Sequence, residues 1–168
     1  MIKNFFHEKV TLCLMTLILS NYLFLSLNFS DVVIKINFIL FLAVFLIFYF
    51  KNIFDNFYLK IFFLFIIFIS LGTPTFEWDP RSIWLFHAKR IYYDGSIFSI
   101  ADNYASFSHN DYPSLAPAFS SSISILLGYW NEVIPKISFS LMFLPPLIFS
   151  YVLFKDEKYI IFLSLVFF

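Results

Sequence analysis

Long apolar runs separated by short polar breaks make up most of the chain. With about 20 apolar residues taken as the length of a membrane-spanning helix, the pattern predicts five spans, at 10–27, 32–50, 58–72, 115–130 and 134–154. A last apolar run, 160–168, is too short to cross. Pro145 and Pro146 should kink the fifth span, because each removes a donor from the helical hydrogen-bond ladder. The pattern therefore predicts an all-α fold, a polytopic transmembrane helical bundle.

The stretch 77–113 breaks this pattern with acidic, basic, histidine and aromatic residues at close spacing. Asp79 followed by Pro80 is typical of an N-cap and a first helical residue, and Gly95 is typical of a helix end. These signals predict a helix over about 80–93. At 100° per residue, one face carries Trp84, His87, Ala88 and Ile91, and the opposite face carries Ser82 and Lys89. Such an amphipathic helix suits a position in a membrane interface.

Three parts follow from this organisation: three spans in 1–72, a loop with the juxtamembrane helix in 73–114, and two spans plus part of a sixth in 115–168. The basic residues of the first loops place the N-terminus in the cytoplasm and the large loop on the extracytoplasmic side. The sequence stops within an apolar run, which indicates a fragment of a longer protein.

Composition strengthens the membrane interpretation. Hydrophobic residues make up 61% of the 168 and charged residues 13%, about half the charged share of soluble domains. The formal net charge is zero, so the charge balance gives no argument for a nucleic-acid partner. Cys13 is the single cysteine, which excludes a disulfide within the chain.

Several residues of the loop form a recognisable series: Trp78-Asp79, Trp84, Ala88-Lys89 and His109-x-Asp111-Tyr112-Pro113. This series resembles the first external loop of bacterial glycosyltransferases of the GT-C superfamily. The resemblance implies an integral, multi-pass protein of the bacterial inner membrane that transfers a sugar from a polyprenyl-phosphate donor to an acceptor hydroxyl. It also implies that Asp79 is the essential acidic residue and that Tyr112 contacts substrate.

The chemistry of such a transfer suits the loop residues. A base must take the proton of the acceptor hydroxyl, and Asp79 is the candidate. The departing phosphate needs cationic partners, for which the loop offers Arg81, Lys89 and Arg90. His109 and Asp111 could orient the acceptor or join a further carboxylate around a divalent cation. We assign no metal site, because a His-x-Asp pair supplies at most two ligands.

Each candidate also has a structural interpretation. Asp79 is explained as a helix cap, Lys89 and Arg90 as cations that extend toward lipid headgroups, and His109 and Asp111 as ordinary loop residues. The serines at 120–124 are more typical of a helix-packing surface than of a site. Two other functions stay open: a fragment of a transporter or permease, and a non-catalytic membrane anchor subunit.

Overall fold

A computed structural model of the protein describes residues 2–48, 57–72, 83–98, 109 and 111–154. These residues form helices and no strand. The helices are α1 (Ile2–Ser26), α2 (Asp31–Phe48), α3 (Phe57–Gly72), α4 (Leu85–Asp94), α5 (Leu115–Leu127) and α6 (Ile137–Phe154), with a 3-10 turn at Ile134–Lys136 before α6.

The prediction of a polytopic transmembrane bundle is wrong. Within the described ranges, no helix combines the length and the apolar character needed to cross a membrane. At 1.5 Å per residue, the 13 residues of α5 extend about 20 Å, against a hydrocarbon core of about 30 Å. Polar residues enter the longer helices, where Asp31, Lys35 and Asn37 lie in the first half of α2. The first turns of α1 contain Lys3 and Glu8.

The centre of the fold is α5, which packs against α1, α2, α4 and α6. All nine residues from Pro117 to Ile125 are buried. The ring of Phe119 stacks on that of Phe38 in α2, with centroids 6.1 Å apart and planes at 15°. Burial of a side chain of this size contributes about 1.5–3 kcal/mol, so this contact is a major link between α2 and α5.

Serines of α5 are used for packing, as the sequence interpretation proposed. Four of them are fully buried: Ser120, Ser121, Ser122 and Ser124. The Ser120 hydroxyl donates to the carbonyl oxygen of Pro135 at 3.3 Å and is hydrogen-bonded to the Ser138 hydroxyl of α6. The Ser122 hydroxyl donates to the carbonyl oxygen of Ala118, one turn earlier, at 2.8 Å. Small side chains let the helices approach closely, and these bonds satisfy hydroxyls that would otherwise be costly to bury.

A polar contact joins α1 to α2. The Asn37 amide nitrogen donates to the Ser20 hydroxyl at 2.9 Å and to the Asn21 side-chain oxygen at 2.8 Å. Asn21 is fully buried. Because a buried polar group is expensive without its partner, these bonds favour one register of the two helices.

Helix α4 confirms the predicted helix end and the predicted faces. Gly95 adopts a left-handed conformation, with φ 67°, and its N–H donates to the carbonyl oxygen of Ile91. Ala88 and Ile91 are fully buried, whereas Lys89 is exposed. We expected this helix to lie in a membrane interface. In the structure its buried face packs on α5 instead. The predicted start near Pro80 lies outside the described residues.

Candidate functional site

A cleft of about 100 Å³ opens between α4 and the N-terminal end of α5. Its lining comes from α4, from the turn after α4 and from the segment leading into α5: Ile83, Trp84, His87, Arg90, Ile97, Phe98, Tyr112, Pro113, Ser114 and Pro117. Among the described residues that line it, the guanidinium of Arg90 is the one permanent charge, and none is acidic. Its chemistry therefore favours a ligand that carries negative charge.

Arg90 is the main cationic group of the cleft, and only 9% of it is exposed. One terminal nitrogen, Nη2, donates to the carbonyl oxygen of Ile97 at 2.6 Å. The other, Nη1, lies 3.7 Å from the carboxylate of Asp94. The left-handed turn at Gly95 directs the chain back along α4, which brings Ile97 within reach of Arg90. The guanidinium is thus held in one orientation beside the cleft.

His87 lies one turn before Arg90 on the same side of α4, and it is also 9% exposed. Its ring meets the ring of Phe86 edge to face, with centroids 5.5 Å apart. Sequence reasoning placed His87 on the buried face without naming it as a site residue. The signal that could have identified it is its three-residue spacing from Arg90, since residues at this spacing are neighbours on a helix.

Aromatic rings form another part of the cleft lining. Tyr112 and Trp84 have ring centroids 6.0 Å apart, with planes at 41°. The imidazole of His109 stacks on Tyr112 at 4.8 Å and 23°. Although it is not glycine, His109 has a φ of 51°, a left-handed conformation in which histidine is enriched. The Tyr112 N–H donates to the His109 carbonyl oxygen at 3.1 Å, closing a turn that brings the two rings together.

The structure brings some of the predicted site residues together and separates others. Arg90 and Tyr112 line the cleft, and His109 stacks on Tyr112. Asp111 lies beside His109, but its side chain is 83% exposed. Lys89 is exposed, whereas Arg90, the next residue, is buried. The remaining two predicted residues, Asp79 and Arg81, lie outside the described residues.

His109 and Asp111 are the pair that the sequence offered for a divalent cation. His109 Nδ1 and Asp111 Oδ1 are 4.0 Å apart, so the predicted pair does meet. In the part of the chain that the structure describes, no group of three or more histidine, cysteine, aspartate or glutamate side chains could hold a metal ion. The chemistry found in the cleft is therefore that of a basic group beside aromatic rings.

Comparisons with known protein families, with curated proteins and with solved structures give no match.

Proposed function

We propose that the protein is a glycosyltransferase, or part of one, that transfers a sugar from a polyprenyl-phosphate donor to an acceptor hydroxyl, and that the cleft binds the sugar-phosphate end of the donor. The observation that carries this proposal is the meeting of two separate segments. The resemblance rests on Trp78-Asp79, which lie outside the described residues, and on residues around 84–89 and 109–113. The ring centroids of Trp84 and Tyr112, one from each of the last two segments, are 6.0 Å apart.

Charge and size support the same ligand. Arginine recognises phosphate through two parallel hydrogen bonds, and its charge persists at any physiological pH. The cavity of about 100 Å³ is far smaller than the roughly 300–1,000 Å³ of sites that enclose a drug-sized molecule. The cleft therefore suits a phosphate group and part of the attached sugar, with the polyprenyl chain outside it.

Each group has a defined role in the proposed reaction. The acceptor oxygen attacks the anomeric carbon of the sugar, and the bond from that carbon to the phosphate oxygen breaks. The electron pair leaves with the phosphate, where Arg90 would stabilise the added negative charge. The acceptor proton passes to the carboxylate of Asp79. This last role comes from the resemblance alone.

Sugar transfer from a radiolabelled polyprenyl-phosphate donor tests the proposal. We expect Asp79→Asn to abolish transfer, because an amide accepts no proton from the acceptor. Arg90→Lys should reduce transfer by about 100-fold, the cost of losing one donor that stabilises transition-state charge. Lys89→Ala tests the neighbouring cation that the sequence also offered for the phosphate, and we expect a smaller loss because Lys89 is exposed.

Circular dichroism and thermal unfolding of each variant would show that the fold is retained. Normal transfer by Asp79→Asn would remove the catalytic assignment. Equal losses from Arg90→Lys and Lys89→Ala would show that the cleft plays no special part. A non-catalytic anchor subunit would instead show altered binding of a partner and no turnover in any variant.

A further inference from the structure

Two rings that line the cleft, those of Trp84 and Tyr112, lie next to each other, and the ring of His109 stacks on Tyr112. Tyr112 is 42% exposed even though His109 covers one side of its ring. Trp84 is half-buried and lines the cleft. An accessible aromatic surface therefore lies next to the basic group, Arg90, in the same cavity.

This combination matches a ligand that joins an anion to a ring with apolar C–H faces. A sugar phosphate has this form, since its phosphate suits Arg90 and its ring can lie against an aromatic face. A centroid separation of 6.0 Å leaves no room for a sugar between Trp84 and Tyr112. The two side chains are instead adjacent parts of a single surface, so one face of the sugar can contact both.

We propose that Trp84 and Tyr112 form the subsite for the sugar ring of the donor, and that His109 is a positioning residue that holds Tyr112 in this subsite. The inference rests on the proposed function and adds a role for His109 that differs from acceptor binding or metal binding. His109 stacks its ring on that of Tyr112, with centroids 4.8 Å apart. Its 4.0 Å approach to Asp111 is too long for a hydrogen bond, and that carboxylate is mostly in solvent.

A fluorescence titration tests the subsite. The chain has three tryptophans, so Trp78→Phe with Trp130→Phe leaves Trp84 as the sole indole reporter. The ligands are the 1-phosphates of glucose, galactose, mannose and N-acetylglucosamine, with inorganic phosphate as the reference. At least one sugar phosphate should change the fluorescence of Trp84 and bind about threefold to tenfold more tightly than inorganic phosphate, the size expected of one ring contact. Sugar phosphates that bind no better than phosphate would overturn the subsite.

Variants of His109 test the positioning role. His109→Ala should lose the threefold to tenfold preference for the sugar phosphate, because Tyr112 is no longer held by a stacked ring. His109→Phe should restore it, since phenylalanine retains a flat ring without the titratable nitrogens, and the left-handed backbone at this position strains alanine and phenylalanine alike. Neither variant should change the affinity for inorganic phosphate. Tyr93→Ala is the control for removal of an aromatic ring, because Tyr93 is exposed near the other end of α4 and does not line the cleft.

A failure of His109→Phe to restore the preference would refute the positioning role, as would equal losses for sugar phosphate and inorganic phosphate. The transfer assay separates this inference from the proposed function. If sugar phosphates bind with the expected His109 pattern while transfer is absent, the proposed function fails and the subsite stands. If transfer occurs and the pattern is missing, the subsite alone fails.

Discussion

The three glycines of the chain offer a matched test of how the turn after α4 shapes the cleft. Gly95 and Gly128 both end a helix in a left-handed conformation, with φ of 67° and 81°. A methyl group at Gly95 would meet no atom within 4 Å, and one at Gly128 would lie 4.0 Å from Lys35 Nζ. Alanine at either position therefore adds backbone strain without a steric clash.

The expected magnitude follows from that strain. A left-handed conformation costs an L-residue roughly 1–2 kcal/mol relative to glycine, so Gly95→Ala and Gly128→Ala should each lower the free energy of unfolding by about this amount. Gly72 is the third member of the series. It ends α3 without a left-handed φ and has open space around it. Gly72→Ala should be neutral or stabilise by up to about 1 kcal/mol.

The two destabilised variants should differ in ligand binding. Gly95 directs the chain toward Ile97, whose carbonyl oxygen accepts the 2.6 Å hydrogen bond from Arg90. A hydrogen bond to a charged group contributes about 1.5–3 kcal/mol, and every 1.4 kcal/mol is tenfold in affinity. If Gly95→Ala weakens this bond by about half, phosphate affinity should fall by roughly threefold to tenfold. Gly128→Ala, at the far end of α5, should leave it unchanged.

Urea unfolding followed by circular dichroism measures the stabilities, and isothermal calorimetry with inorganic phosphate measures binding. The reasoning would be refuted by equal phosphate affinities of Gly95→Ala and Gly128→Ala. It would also be refuted if Gly72→Ala destabilised as much as the other two.

Further predictions concern buried polar groups. Ser120→Ala should cost about 1–3 kcal/mol in urea unfolding, because it removes the bond to Ser138. Ser121→Ala should be neutral or stabilising, since the buried Ser121 hydroxyl has no hydrogen-bond partner among the described residues; a larger loss from Ser121→Ala would contradict this. Burial lowers the pKa of the Lys136 ammonium. Between this lowered pKa and the ordinary value of about 10.4, the unfolded chain therefore binds more protons than the folded chain. The free energy of unfolding should increase as pH rises through that window. Unfolding at several pH values should show this increase in the wild type and its loss in Lys136→Met.

Local signals in the sequence predicted α4 well. Gly95 after a helical pattern marks a helix end. The 100° spacing put Ala88 and Ile91 on one face and Lys89 on the opposite face, and the structure buries the first two and exposes the third. These features depend on residues within one helix. The different environments of Lys89 and Arg90 depend on residues outside the helix, because the carbonyl oxygen that accepts a hydrogen bond from Arg90 belongs to Ile97, after the turn.

Hydropathy misled the fold prediction for an identifiable reason. Buried helices of a packed core and membrane spans share apolar composition, and a run of about 10–14 residues is more typical of the former. The predicted span 115–130 passed through Gly128, whose N–H donates to the carbonyl oxygens of Ser124 and Ile125 and ends α5 at Leu127. Gly128 therefore signalled a helix end within the apolar run. The prediction gave more weight to the apolar composition of the run than to this glycine.

The short α5 also explains why the cleft forms where it does. Its first turn begins after the exposed Pro113, and the residues from Pro117 onward are buried. The N-terminal end of α5 thus lies at the edge of the core, where α4 crosses it and brings Arg90 beside the cavity. The carbonyl oxygen of Ile97 and the carboxylate of Asp94 hold the buried guanidinium of Arg90 at this junction. The comparison of Gly95→Ala with Gly128→Ala tests whether this arrangement of Arg90 supports the proposed binding of phosphate.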